Sequence, residues 1–403
     1  MHNSKQILNE VLKNIKPSEQ EQLCLNKIVK NFLDKINKNL KDAKAILGGS
    51  GAKNTYLRNA TDIDIYVKFN YNKFKDKSDK ISLILEKHLK KIFKKIELLH
   101  GSRDYFQIKQ NNFTFEIVPI LDIKNSSQAK NITDVSQLHV NYVKKFPKLA
   151  DEIRLAKQFC KANNCYGAES YIQGFSGYVL ELLVIHYKSF LNLIKAASKW
   201  KEKTLIGNKK QIENLNISKK HSPVIIIDST QKDRNASAAL SKEKYNLFIQ
   251  SSKNFLKNPG KTFFEEKFSL EKKPNSIIIN IIPEKGKRDV IGARLLKLFN
   301  CLQSQLKSND IKILESRWNF KENAFFYIQY ESPKTDYTIH YGPYLNQKDH
   351  IKAFKSKYKH VFIKNNRIAA KIKREFTPIN LLKSMLKQSN FRKLYKVKDF
   401  NIL

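Results

Sequence analysis

Three of the chain's 12 glycines stand within four consecutive positions, Gly48-Gly49-Ser50-Gly51, directly after a short apolar run, Ala45-Ile46-Leu47. A backbone so locally stripped of side chains must turn tightly or pass close to a ligand. Behind the turn, Ala52–Arg58 reads as a short helix. Asp62–Phe69 then alternates without a break, with Asp62, Asp64, Tyr66 and Lys68 on one face and Ile63, Ile65, Val67 and Phe69 on the other. A period of two predicts a strand with one buried face. A second alternation over Phe113–Val118 sets Thr114, Glu116 and Val118 opposite Phe113, Phe115 and Ile117. The order of strand, glycine-serine turn, helix, Asp-x-Asp strand and acid-bearing strand points to a mixed α and β fold.

Acids two residues apart on a strand share a face, roughly 6.6 Å apart along the backbone. The carboxylates of Asp62 and Asp64 can then converge on paired divalent ions roughly 3.5–4 Å apart, the spacing used for in-line phosphoryl displacement. Oxygen donors alone select Mg2+ over thiolate-loving metals. Glu116, on a neighbouring strand, can complete the set and accept a hydroxyl proton. Gly49 and Ser50 offer backbone N–H groups and a hydroxyl to a triphosphate. The turn is not a Walker A loop, because no Gly-Lys-Thr follows it.

Elsewhere, Pro17-Ser18-Glu19 breaks two amphipathic N-terminal helices, and Ile81–Phe93 is helical. Arg103, ahead of the acid-bearing strand, is a candidate to face phosphates. Asp151–Ala162 reads as a helix with Arg154, Lys157 and Lys161 on one side. Ser176 caps a strongly apolar helix, Gly177–Tyr187, and Phe190–Trp200 is another. Pro223–Asp228 is a strand, Ala236–Leu256 is mostly helical, and Lys257–Pro274 reads as a linker. Beyond it come a strand (Ile277–Ile282), a helix (Val290–Leu306), two strands within Ile311–Tyr330, a strand near Tyr337–Tyr341 and a helix near Asp349–Tyr358. A hairpin turning at Asn365-Asn366 and a last helix, Pro378–Lys387, complete the pattern. The fold class is α+β: a mixed head over residues 1-145, a helical middle over 146-260, and a sheet-plus-helix tail over 261-403.

Charge adds a partner. The 76 Lys+Arg outnumber the 37 Asp+Glu by 39, and residues 348–403 alone hold 16 basic against 3 acidic side chains. Tyr358, Phe362, Phe391 and Tyr395 interleave with that charge, as expected of a surface that tracks a phosphate backbone. No apolar run approaches the roughly eighteen residues of a membrane span. Met1–Lys5 lacks a signal-peptide core. Cys24, Cys160, Cys165 and Cys301 form no Cys-x-x-Cys pair and no disulfide framework. These features predict a soluble, cytoplasmic protein with no membrane partner.

Gly49-Ser50, followed by Thr55 and Asp62-Ile63-Asp64, resembles the nucleotidyltransferase superfamily of DNA polymerase beta and the poly(A) polymerases. Three further segments are similar to the archaeal (class I) CCA-adding enzymes: Asp151–Phe159; Tyr166-Gly167-Ala168-Glu169 with Gln173–Tyr178 and Glu181-Leu182-Leu183; and Asp233-Arg234-Asn235-Ala236 with Ala238–Ser241. The resemblance implies a nucleotidyltransferase head and a template-independent enzyme that adds C, C and A to the tRNA 3′ end from CTP and ATP. It implies catalysis by Asp62, Asp64 and Glu116 with Mg2+. It also implies nucleotide binding by Gly49, Ser50, Lys53, His139, Lys157, Tyr166, Arg234 and Asn235, with Arg234 helping one pocket choose between C and A. A homodimer gripping the acceptor and T arms of tRNA, chiefly with the tail, belongs to the same expectation. Two positions depart from the family pattern, which has Arg where Lys53 stands and Asp where Glu116 stands. Lys keeps the charge and loses the planar fork. Other outcomes consistent with these residues are an A-adding or partial-CCA enzyme, and a tRNA-binding protein with weak catalysis.

Overall fold

The computed structural model describes every residue except 1, 208–211, 214, 267–271, 333–336 and 374–375. It divides into two compact units, Met1–Lys267 and Phe268–Leu403.

The first unit begins with two helices, α1 (His2–Ile15) and α2 (Glu19–Asn37). Ser18 starts α2 through a reciprocal cap: its Oγ accepts from Glu21 N at 3.2 Å, and Glu21 Oε2 accepts from Ser18 N at 2.6 Å. Five strands follow: β1 (Ala43–Leu47), β2 (Asp62–Phe69), β3 (Glu97–Leu99), β4 (Tyr105–Gln110) and β5 (Phe113–Leu121). They form one mixed sheet in the order β1-β2-β5-β4-β3, with β2 and β5 parallel and every other pair antiparallel. The β4–β5 hairpin turns at Asn111 and Asn112, both left-handed, the conformation a two-residue hairpin turn demands. One face of the sheet buries Ile63, Ile65, Val67, Phe115 and Ile117 against Val29, Phe32 and Ile36 of α2 and against Ile81, Leu85 and Leu89. Phe32 stacks on Phe115 with ring centroids 3.7 Å apart. The polar face carries the acids.

Among the described residues, the helices of this unit after α2 are α3 (Gly49–Lys53), α4 (Tyr71–Phe74), α5 (Ile81–Ile92), α6 (Ser136–Val143), α7 (Ala150–Ala162), α8 (Gly177–Tyr187), α9 (Phe190–Ala197) and Lys242–Lys257. Helices α7, α8, α9 and Lys242–Lys257 share a second core, built around Phe159, Phe175, Phe190, Phe248 and Phe255. Leu8 and Val11 place α1 in this helical core rather than beside the sheet, so the boundary expected at residue 145 leaves α1 on the wrong side. The expected linker is also too long. Lys261–Phe264 forms a 3-10 turn that buries Phe264 in the same core, and residues 267–271 lie outside the described set. Two shorter readings change as well: the helix behind the glycine turn is Gly49–Lys53, ended by left-handed Asn54, and the helix expected from Ala236 begins at Lys242 under a Ser241 cap.

The second unit holds a four-stranded antiparallel sheet in which Ser276–Pro283 lies between Val397–Ile402 and Ala324–Tyr330, with Ile313–Phe320 outermost. The helix Arg288–Ser308 covers it with Leu295, Leu298 and Leu302. A second sheet pairs Arg367–Lys373 with both Tyr337–Tyr344 and Val361–Lys364, and Phe354 from the helix Lys348–Lys357 packs on it. Pro378–Lys387 is not the last element, since the helix Ser389–Tyr395 and the strand Val397–Ile402 follow.

Candidate active site

Antiparallel pairing of β1 with β2 delivers the glycine turn onto the acids: Gly48 N donates to the Asp64 carbonyl at 2.8 Å. The turn lies flat on β2. A Cβ on Gly48 would stand 2.7 Å from the Tyr66 ring, and one on Gly49 would stand 1.7 Å from Asp64 Oδ2. Gly49 also has φ +49°, a left-handed value that suits glycine. Its N–H donates to the Tyr66 hydroxyl at 3.2 Å. Parallel register sets Asp64 of β2 directly beside Glu116 of β5, and Asp62 beside Thr114, so the three acids share one face.

Burial raises the pKa of Asp64; Lys53 opposes that rise, and the neighbouring Asp62 charge adds to it. Glu116 is likewise raised by burial and by Asp64 and Asp62, against a hydrogen bond of 2.6 Å from Gln107 Nε2. Among the described residues no three His, Cys, Asp or Glu side chains are gathered closely enough to hold one ion. The three carboxylates repel one another and Gln107 holds Glu116, so they are arrayed on one face without closing on a point.

Beside the acids lies a buried cationic cluster. Glu181 of α8, fully buried, receives Lys53 Nζ at 2.6 Å on Oε2, and Lys157 Nζ and Thr55 Oγ1 at 2.9 Å each on Oε1. Lys157 also donates to the Thr55 hydroxyl and carbonyl. Neither lysine is a solvated surface charge, and Arg154, expected on the same helix side, is buried too, donating to the Tyr56 carbonyl and Asn54 Oδ1. Two ammonium groups share one carboxylate. Burial weakens the Glu181 charge, but the two lysines outweigh it and bring the pKa down to about 2. Lys157 is pushed below its ordinary value by burial, with Lys53 as a further repelling charge. The cluster therefore carries excess positive charge next to Asp64. Tyr166 closes its far side: a Cβ on Gly177 would stand 3.1 Å from the Tyr166 hydroxyl and 3.5 Å from Lys157 Cε.

His139, Tyr178 and Arg234 meet at a different carboxylate, Asp228. Arg234 Nη1 donates to its Oδ2 at 2.6 Å and His139 Nε2 contacts the same oxygen at 3.1 Å. The His139 ring stacks on Tyr178, centroids 3.9 Å apart. Asn235 faces inward: its Oδ1 accepts from Ile226 N and Ser237 N, which makes it a brace for the Arg234 loop. Arg103 turns away from any phosphate, being buried against Asp134, the Pro119 carbonyl and Ser78.

Comparison with known proteins bears on this arrangement. A nucleotidyltransferase domain model matches residues 27–143, a model of the second domain of tRNA nucleotidyltransferases matches 151–265, and a model of the CCA-adding enzyme C-terminal domain matches 278–395. The CCA-adding enzyme of Methanocaldococcus jannaschii is 30% identical over 93% of this chain and 88% of its own length. The chain belongs to the CCA-adding enzyme family. The Nanoarchaeum equitans member is 37% identical over 74% of this chain and 76% of its own length, and that of Saccharolobus shibatae 31% over 84% and 81%. Among solved structures, a cytoplasmic RNA terminal U-transferase covers 67% of this chain and all of its own with a TM-score of 0.51 at 15% identity, a likeness of fold alone.

Within this CCA-adding family member, three side chains that organise the site went unpredicted by sequence reasoning: Glu181, Asp228 and Tyr178. Glu181 had a signal, being the only acid in the apolar helix Gly177–Tyr187. Asp228, at the end of the apolar run Val224–Ile227, had a weaker one.

Proposed function

We infer that this chain is a template-independent CCA-adding tRNA nucleotidyltransferase, adding C, C and A to the tRNA 3′ end from CTP and ATP with release of pyrophosphate. The observation that carries the reading is the Gly48-Gly49 turn pressed onto Asp64, with Asp62 and Glu116 on the same sheet face, in a chain whose family matches run from residue 27 to 395.

Asp62, Asp64 and Glu116 are the residues that would hold divalent cations. The donor set fits: all are carboxylate oxygens, and the burial and mutual repulsion that raise Asp64 and Glu116 are what a bound cation relieves. A divalent cation such as Mg2+ held by these residues would supply the charge that activates the tRNA 3′-hydroxyl and neutralises the leaving pyrophosphate. The remaining work falls to the chain itself. Gly49 and Ser50 bring backbone N–H groups to the triphosphate, and Lys53, Lys157 and Tyr166 line its path with excess positive charge held by Glu181. His139 and Arg234 contact the incoming nucleotide, and Asn235 braces the loop that carries Arg234. The hydroxyl oxygen attacks the α-phosphorus in line with the departing pyrophosphate, so catalysis is positioning and charge stabilisation with no covalent intermediate. Of residues 1-145, the sheet-bearing part acts as the catalytic head while α1 packs with the nucleotide-binding middle, 146-260, and the basic 261-403 serve as the body and tail that grip the acceptor and T arms. The protein works in the cytoplasm as a homodimer.

The test uses a tRNA transcript ending at the discriminator base, with CTP, ATP or both, sized at single-nucleotide resolution. Two additions with CTP and a third only with ATP present are expected. A-tailing without C would move the chain to an A-adding class, and binding without extension would leave a tRNA-binding protein.

A further inference from the structure

Asp228 is fully buried and yet accepts five hydrogen bonds from four residues. Its Oδ2 takes Arg234 Nη1 and His139 Nε2, and its Oδ1 takes the Tyr178 hydroxyl at 3.1 Å, Thr230 N at 2.8 Å and Thr230 Oγ1 at 2.9 Å. A buried carboxylate with this many donors is held ionised and in one orientation. Whatever it grips is fixed in turn.

What it grips is unusual. Arg234 sits on a loop closed at both ends: Ile227 bridges Asn235, and Asp228 N donates to the Arg234 carbonyl at 3.0 Å. The Arg234 side chain is a third exposed, and among the described residues Asp228 is the acceptor it reaches. With Nη1 held by the buried carboxylate, the guanidinium has a fixed orientation while part of the side chain stays open to solvent. A rigid fork discriminates between acceptor patterns, whereas a mobile one accommodates either. His139 belongs to the stretch matched by the nucleotidyltransferase domain and Arg234 to the stretch matched by the second domain, so one carboxylate ties the two together. Tyr178 stands three residues before Glu181 on the first turns of α8, and the Lys53 ammonium lies 5.9 Å from its ring centroid. The cluster around Arg234 and the cationic cluster around Glu181 thus hang on one helical segment.

We propose that Asp228 is the positioning residue that sets base selectivity: it locks the Arg234 fork and couples it, through His139 and Tyr178, to the triphosphate side of the pocket. The proposal rests on the reading that one pocket accepts both C and A.

The experiment measures kcat/KM for CTP and for ATP on two tRNA transcripts, one ending at the discriminator base and one ending in CC. It compares the full-length protein with Asp228→Asn and Tyr178→Phe, and each variant's thermal unfolding is recorded. Asn keeps the shape but cannot serve five donors, so the preference for the correct nucleotide should fall about tenfold or more at both steps, the weight of one charge-assisted hydrogen bond. Tyr178→Phe removes one hydrogen bond and leaves the ring stack, so a loss of roughly twofold to fivefold in the same ratio is expected, with the unfolding midpoint lowered by no more than about 2–4 °C. A folded Asp228→Asn protein that turns over slowly but keeps wild-type preference would overturn the proposal, because a purely structural role lowers both rates together. Should Asp228→Asn not fold, an unchanged ratio in Tyr178→Phe overturns it instead. Failure of the wild-type protein to add C and A in order would refute the functional reading itself, and is distinguished by being seen before any variant is compared.

Discussion

Replacing Glu181 with Gln removes one negative charge and almost no volume. In the folded protein that charge is fully buried and serves two ammonium groups at 2.6 and 2.9 Å. Without it, Lys53 and Lys157 are buried cations with no carboxylate in hydrogen-bond contact, and breaking a buried pair in this way costs about 3–5 kcal/mol. A second route gives a similar size. Glu181 has a pKa of about 2 when folded against an ordinary 4.5, a separation worth about 3 kcal/mol. Because the folded value is the depressed one, this stabilisation is complete above pH 4.5 and is lost as the pH falls toward 2. Differential scanning calorimetry of the wild-type and Glu181→Gln proteins should therefore show midpoints about 10 °C apart at pH 7, at roughly 2–4 °C per kcal/mol. The gap should narrow once the pH drops below 4.5. The KM for CTP and that for ATP should rise together, roughly tenfold, because Lys157 loses the partner that keeps it charged. Midpoints within 2 °C of each other at pH 7, or a gap that does not change with pH, would show that the cluster is not held by this carboxylate.

Gly49→Ala forces a methyl group to within 1.7 Å of Asp64 Oδ2, and displacing that carboxylate by about 1 Å should lower nucleotide incorporation about 100-fold while tRNA binding by filter retention is unchanged. Asp64→Asn should abolish extension and leave tRNA affinity intact, measured on the same two assays. Arg103→Met should lower the unfolding midpoint by several degrees, since it strands buried Asp134, without altering the KM for either nucleotide. In the tail, Lys352→Ala with Lys355→Ala, both exposed on the helix Lys348–Lys357, should reduce the slope of log Kd for tRNA against log salt by about 0.7–0.9 for each phosphate no longer neutralised.

How much of this was legible in advance follows from the range of the forces involved. Asp62, Asp64 and Glu116 were readable because strand alternation is local, and the expected shared face is present. The Asn365-Asn366 hairpin was readable for the same reason. The burial of Lys157 and Arg154 was not readable, since a basic helix face does not reveal a partner that is distant in sequence. Glu181 is 24 residues from Lys157 and 128 from Lys53. Arg103 misled for the same reason, its counter-charge being 31 residues further on. Val397–Ile402 was missed because it has too few apolar residues to announce a strand, and only pairing with Ser276–Pro283 makes it one.

The left-handed turns carry one more consequence. Of the 15 residues other than glycine with positive φ among those described, nine are asparagine, including both turn pairs, Asn111-Asn112 and Asn365-Asn366. Asparagine tolerates that conformation and is less free than glycine in the unfolded chain, so each such choice lowers the entropy lost on folding. A chain that fills its sharp corners with asparagine keeps glycine for another purpose. At Gly48, Gly49, Gly174 and Gly342 a single added carbon would come within 3 Å of a neighbouring atom. Scarcity thus concentrates glycine where approach is tight: at these four positions two parts of the molecule nearly touch.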